Sequence, residues 1–188
     1  MKKSDFLNIL YGSPVIAAVR DDDGFQKALA SECQVLFFMC GTLCTIGDMT
    51  KAAKKQGKTV FVHLDLVEGL GHQSPAAIDF LMEQAAIDGI ISTKAGMIAY
   101  AKKKNLLAIQ RYFLLDSLSL NNLLSLSSSA DAIEILPAVL PKIFRWILQR
   151  QKLHLIAGGL VSDKEDIVSI LNAGAVAVST SNSDLWMA

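Results

Sequence analysis

The chain has 188 residues, 52% of them hydrophobic and 19% charged, with 4 prolines and 3 cysteines. Such a composition excludes a disordered, collagen-like or disulfide-built chain and supplies enough apolar side chains for one sizeable core. Eighteen basic residues balance eighteen acidic ones, so no overall field advertises a nucleic-acid or membrane partner.

Taken in chain order, the sequence alternates two textures. Residues 1–10 read as a short helix able to cap a barrel from below. Short aliphatic or β-branched runs follow at 15–19, 35–39, 59–64, 89–92, 106–112, 132–136, 153–157 and 175–179. Helical-period segments lie between them. Phe25, Ala28 and Leu29 form one apolar stripe, and Ile46, Met49 and Ala53 form another that ends at Gly57. Ser74 and Pro75 open a helix as N-cap and first helical residue, with Ile78, Leu81, Met82 and Ala85 on one face. Residues 116–129, rich in Leu and Ser, fit either a frayed helix or a loop. Ser162-Asp163-Lys164-Glu165 reads as a capping box, followed by Ile167, Val168 and Leu171 and a stop at Gly174.

The eight strand starts are on average about 23 residues apart, the size of a minimal βα unit. Nearly all-apolar strands alternating with helices imply a parallel sheet covered by helices. Eight units predict a compact α/β fold, a (βα)8 TIM-type barrel. Its eighth helix is truncated or missing, because few residues follow Ser179. A doubly wound open sheet is the alternative. Nothing in composition divides residues 1–188, so one barrel domain is expected. Without its eighth helix the flank of the last strand and Trp186 lack cover, which opens the way to a homodimer. The longest apolar runs, such as 35–40, are too short to cross a bilayer. Residues 1–5 lack the apolar core of a secretory signal. Cys33, Cys40 and Cys44 are an odd set without a CxxC motif, which suits a reduced, cytoplasmic protein without a metal site.

Barrel chemistry gathers where strands end. Gly158 and Gly159 end the seventh strand, and Ser179, Thr180 and Ser181 end the eighth, just before a short turn of helix. Glycines let amide groups approach an anion, hydroxyls add donors, and a helix N-terminus adds partial positive charge. This pairing predicts a phosphate site, against the plainer reading of a tight turn and an N-cap. Arg20 and Lys94 either assist that phosphate or pair with Asp21 and Glu134. Period-2 alternation sends His63 and Asp65 together into the barrel mouth, where Arg111 and Glu134 also end strands. His154 starts the seventh strand at the opposite end and reads as rim or core, while His72 lies in a loop. A second set, Lys54, Lys55, Lys58, Lys102, Lys103 and Lys104, falls near helix C-termini on the bottom face. It reads as compensation of helix dipoles, or as a local phosphodiester-binding surface.

Several blocks carry a family resemblance: His-Leu-Asp-Leu-Val-Glu-Gly-Leu at 63–70, Asp-Gly-Ile-Ile-Ser-Thr-Lys at 88–94, and Ile-Gln-Arg-Tyr-Phe-Leu-Leu-Asp-Ser at 109–117. It continues with Asp-Ala-Ile-Glu-Ile-Leu-Pro at 131–137, Ile-Ala-Gly-Gly-Leu at 156–160 and Ala-Gly-Ala-Val-Ala-Val-Ser-Thr-Ser at 173–181. From the third strand onward the chain resembles the glycerol uptake operon antiterminator regulatory proteins. The likeness implies a regulator without catalytic residues or cofactor. Such a regulator senses glycerol 3-phosphate and acts on the leader mRNA of glycerol-catabolic genes. By the same likeness, Gly158, Gly159, Ser179 and Thr180 hold phosphate with Arg20 or Lys94. His63, Asp65, Arg111 and Glu134 then face the glycerol hydroxyls, and the bottom lysines are RNA-binding candidates. The rival is a small phosphosugar isomerase, epimerase or synthase on the same barrel, with His63, Asp65, Lys94 and Glu134 as acids and bases.

Overall fold

The structure is a computed structural model that describes every residue except His72, Val139 and Ala188. The expected solvated loop position of His72 therefore lies outside the described residues. Eight strands run β1 (Val15–Val19), β2 (Val35–Phe38), β3 (Thr59–His63), β4 (Gly89–Ser92), β5 (Leu107–Phe113), β6 (Ala132–Leu136), β7 (Leu155–Gly158) and β8 (Ala177–Thr180). All pair in parallel in sequence order, and β1 closes on β8 with Ile16 opposite Ser179. This is a TIM-type (βα)8 barrel, not an open sheet. Helix α1 (Lys3–Gly12) precedes the barrel. The connecting helices are α2 (Asp22–Ala30), α3 (Ile46–Lys55), α4 (Pro75–Gln84), α5 (Ala95–Lys103), α6 (Ser117–Leu124), α7 (Pro141–Leu148) and α8 (Lys164–Asn172). After β8 the described residues form a 3-10 turn, Ser183–Leu185. No described helix is long and apolar enough to cross a membrane.

Alternation along each strand separates two cores. Ile16, Val35, Phe37, Phe61, Ile91, Ile109, Ile156 and Ala177 fill the barrel interior, where Phe6 and Leu10 of α1 join them. Leu36, Phe38, Val60, Val62, Ile90 and Ala108 face the helices. Gly89 is glycine because Phe61 occupies its space. A Cβ there would lie 2.5 Å from both the Phe61 ring and the Leu107 carbonyl oxygen.

Helix ends correct several expected boundaries. α3, α5 and α8 end alike, with Gly57, Asn105 and Gly174 in the left-handed region. The following amides of Lys58, Leu106 and Ala175 reach back to Ala53, Ala101 and Ile170, which is the Schellman arrangement. Leu106 and Ala175 finish helices, so β5 and β8 begin later than their apolar runs. The N-cap of α8 lies one residue later than expected, and no capping box forms: Asp163 is the N-cap and accepts from the Asp166 amide at 2.9 Å. Ser162 instead donates to the Asp166 carboxylate. On α8 the buried pair is Ile167 and Ile170, while Val168 is exposed; Met82 of α4 is exposed too. Residues 116–129 divide into α6, capped by Asp116 and Ser119, and a loop.

Trp186 overturns the reason for expecting a homodimer. Its side chain is buried, its Nε1–H donates to the Thr180 carbonyl at 2.9 Å, and it packs into the outer core. The indole thus covers the flank that a regular eighth helix would cover.

Candidate functional site

Strand register builds the mouth. Leu107 and Ile109 of β5 point inward, so Arg111 does as well, and the same parity turns Glu134 of β6 and Ser179 of β8 inward. Arg111 and Glu134 are direct register partners. Arg111 Nε donates to Glu134 Oε2 at 2.7 Å, and the Ser179 hydroxyl donates to Glu134 Oε1 at 2.6 Å. Glu134 has no exposed surface and Arg111 is buried.

Between Glu134 and Ser179 runs β7, and Gly158 makes their contact possible. A Cβ at this position would sit 2.6 Å from Ser179 Oγ and 2.9 Å from Glu134 Oε1. Gly158 thus has a structural reason to be glycine, because it leaves room for the carboxylate to pass, and it is not among the lining residues of the cavity above. Ser179 is likewise already committed as a donor.

Above this network lies a cavity of about 400 Å³, with Arg20, Arg111, Glu134, Gly159, Ser179 and Thr180 in its wall. Met39, Leu66, Leu160, Val161 and Ser181 complete much of the lining. Sequence reasoning gave the first four no ligand role, whereas Ser181 stood in the hydroxyl run of the expected phosphate site. Gly159 and Leu160 both adopt positive φ, +75° and +57°, which folds the β7–α8 loop into a tight concave turn. Such successive turns aim amides at one point. Neither Leu160 nor Ser181 makes a hydrogen bond among the described residues, and both are exposed. Thr180 is less available. Its hydroxyl accepts the Asn182 amide at 3.1 Å and lies 3.5 Å from the Val161 carbonyl. Arg20 is exposed at the rim and forms no ion pair with Asp21 or Glu134.

The remaining expected residues lie elsewhere. Lys94 is exposed at the start of α5 and borders a separate hollow with Gln73, Pro75, Gly96 and Met97. The Asp65 carboxylate accepts the Thr93 amide at 2.9 Å and lies 3.4 Å from Ser92 Oγ, which pins it to the β4–α5 loop. His63 is buried and is not among the residues lining the cavity, and its Nδ1 accepts the Asp65 amide at 3.2 Å. The acid–base roles that an isomerase would assign to Glu134 require its release from both Arg111 and Ser179.

Burial, then the nearby Arg111 guanidinium, lowers the His63 pKa from 6.5 to about 4, against a smaller opposing pull from Asp65. The unfolded chain takes up a proton near pH 6.5 and the folded chain does not until about pH 4. Stability is therefore complete above pH 6.5 and falls as pH drops through that window, by about 3 kcal/mol in all. Half-buried His154, lowered chiefly by burial, adds a loss of the same sign. Urea melts between pH 7 and pH 4 are expected to show this decline, and His63→Phe is expected to reduce it.

The bottom-face lysines are largely neutralised. Lys58 is buried and donates to the Ser31 and Cys33 carbonyls at 2.6 and 2.9 Å, which removes it from any nucleic-acid surface. Lys54 pairs with Asp88, Lys102 with Asp131 and Lys104 with Asp79, each at 2.7 Å. Asp88 and Asp131 also accept the Val60 and Ala108 amides, so each clamps a helix end to the strand after it. Of the six candidates, Lys55 and Lys103 are exposed and outside every ion pair among the described residues.

The barrel type alone is shared with proteins of distant sequence. The 2-keto-3-deoxy-6-phosphogluconate aldolase of Zymomonas mobilis ZM4 superposes with a TM-score of 0.67 at 16% identity, over 96% of this chain and 87% of that one. Two nearer structures narrow the class. A glycerol uptake operon antiterminator regulatory protein from Listeria monocytogenes str. 4b F2365 is 35% identical, with a TM-score of 0.86 over 92% of this chain and 94% of its own. A glycerol uptake operon antiterminator-related protein from Thermotoga maritima MSB8 is 34% identical, with a TM-score of 0.77 over 93% and 98%. In sequence, the uncharacterized protein YgcP of Escherichia coli (strain K12) is 43% identical over 182 residues, covering 96% of this chain and 95% of that protein. The family model described as glycerol-3-phosphate responsive antiterminator matches residues 15–186, and the chain belongs to that family.

Proposed function

We propose that this protein is a cytoplasmic sensor of glycerol 3-phosphate that acts on leader mRNA to favour antitermination. Membership of the family supports the regulatory class. The observation that carries the ligand reading is the charge of the cavity. Two guanidinium groups and one carboxylate line it, and the carboxylate is already spent on Arg111. Arg20 and the unbonded Leu160 and Ser181 groups are then left for an anion. The dianionic phosphate sits against the 159–161 turn and Ser181, and the glyceryl end extends toward Arg111 and Glu134. A volume of about 400 Å³ accommodates a three-carbon phosphate.

Glycerol 3-phosphate at a hundredfold excess over its Kd is expected to stabilise the fold by about 2.7 kcal/mol, seen as a raised melting temperature. Glycerol alone is expected to do nothing. An unchanged melting temperature with the phosphate would remove the sensor reading.

For the RNA half, the free cations Lys55 and Lys103 are the contact points favoured by the ion-pair pattern. Titration of a structured leader transcript of a glycerol-catabolic operon, with and without glycerol 3-phosphate, separates regulator from enzyme. Ligand-dependent affinity that falls as salt rises is expected, and Lys55→Glu with Lys103→Glu is expected to weaken it. The ligand shifts RNA affinity only through unequal affinity for two states of the protein, so identical titration curves would refute this mechanism.

A further inference from the structure

Helix α7 carries a basic face that no ion pair neutralises. No acidic residue stands between Glu134 and Asp163, a stretch that contains all of α7 and the turn after it. Phe144 and Ile147 are buried, and Ile143, Trp146 and Leu148 pack partly against the outer core. The opposite side exposes Lys142, Arg145, Gln149 and Arg150, and Lys152 follows just past the helix, exposed as well. Positions 142, 145 and 149 share one helical face, so the cations form a stripe along α7. Among the described residues none of these four cations belongs to an ion pair. Lys54, Lys102 and Lys104, by contrast, each have an aspartate. Compensation of the helix dipole accounts for cations toward the C-terminal end. It does not account for Lys142 in the first turn, where the dipole disfavours positive charge.

Arg150 adds a geometric feature. Its guanidinium carbon lies 4.0 Å from the centroid of the Trp146 ring, and Nη1 donates to the Trp146 carbonyl at 3.1 Å. The cation is therefore held in place before a partner arrives, which lowers the ordering cost of binding. Four unpaired cations answer a run of phosphates, and a guanidinium plane fixed on an indole answers a flat base. An acidic protein would satisfy the charges and leave that plane without a use.

We propose that the exposed face of α7 is a binding surface for single-stranded RNA, with Lys142, Arg145 and Lys152 on phosphates and Arg150, positioned by Trp146, stacked on a base. This rests on the leader-RNA reading given above and gives the RNA a surface beyond Lys55 and Lys103.

The test is fluorescence anisotropy with two labelled probes, the structured leader transcript and an oligoadenylate, in rising salt with glycerol 3-phosphate present. Replacing all four cations, Lys142→Gln with Arg145→Gln, Arg150→Gln and Lys152→Gln, is expected to flatten the slope of log affinity against log salt by about 3, at about 0.7 per phosphate contact. Arg150→Lys keeps the charge but not the plane, and is expected to lose about tenfold in affinity with an unchanged slope. An unaltered slope in the quadruple variant overturns the assignment, and full affinity of Arg150→Lys overturns the stacking role. If the quadruple variant does not fold, acetylation footprinting of the unmodified chain decides. RNA is expected to shield Lys142 and Lys152, and equal modification with and without RNA overturns the assignment. Poly-glutamate that competes as well as RNA overturns it in favour of an acidic protein. Binding of neither probe by the unmodified chain sinks the leader-RNA reading and takes this one with it. Binding that only Lys55→Glu with Lys103→Glu weakens leaves that reading standing and removes this surface alone.

Discussion

Glu134→Ala is expected to destabilise the protein by about 3–5 kcal/mol, because it leaves the Arg111 cation buried without a counter-charge. The same change strips the Ser179 hydroxyl of its acceptor. The loss is large because both groups were removed from water on the assumption of one carboxylate. Replacing both charges by apolar residues, as in Arg111→Met with Glu134→Leu, is expected to recover most of the stability, since buried ion pairs cost about as much to desolvate as they return. That double variant is expected to bind glycerol 3-phosphate more weakly, because the groups that face its glyceryl end are gone. Denaturant melts and ligand titrations on the two proteins check both halves. A single variant as stable as the parent would show that Arg111 finds another partner.

Phe6→Ala is expected to cost a similar amount, about 3–5 kcal/mol. Phe6 has no exposed surface, and its ring centroid lies 4.9 Å from that of Phe61, which in turn lies 5.6 Å from Phe37. These rings belong to different segments, so the N-terminal helix supplies part of the barrel's own interior. Tyr11 on the same helix is 64% exposed, and Tyr11→Ala is expected to change stability by less than about 0.5 kcal/mol. Equal midpoints for the two variants in urea would show that α1 does not stopper the barrel.

Several residues show how far local pattern reaches. Read from the sequence, alternation speaks only for His63 and Asp65, yet the same parity turns Arg111, Glu134 and Ser179 of β5, β6 and β8 toward one interior, because side-chain parity is a property of a single strand. Parity says nothing about which inward groups meet. Glu134 bonds Ser179 two strands away only because Gly158 leaves the intervening space open. Lys94 ends a strand as Arg20 does, yet it borders another hollow. Lys58 occupies the kind of helix-end position that suggests a solvated cation, and the chain buries it on two carbonyls.

By itself, then, the sequence indicated eight βα units, a parallel sheet covered by helices and polar groups gathered at its strand ends, with a closed barrel preferred to an open sheet. Each of these follows from periodicity and capping within a few residues. Closure of the barrel decided the rest: the Arg111–Glu134–Ser179 network, the cavity against the 159–161 turn, the neutralised lysines and the cover supplied by Trp186. Those features depend on distances between residues far apart in the chain, which are set by the register of eight strands and by the volumes packed between them.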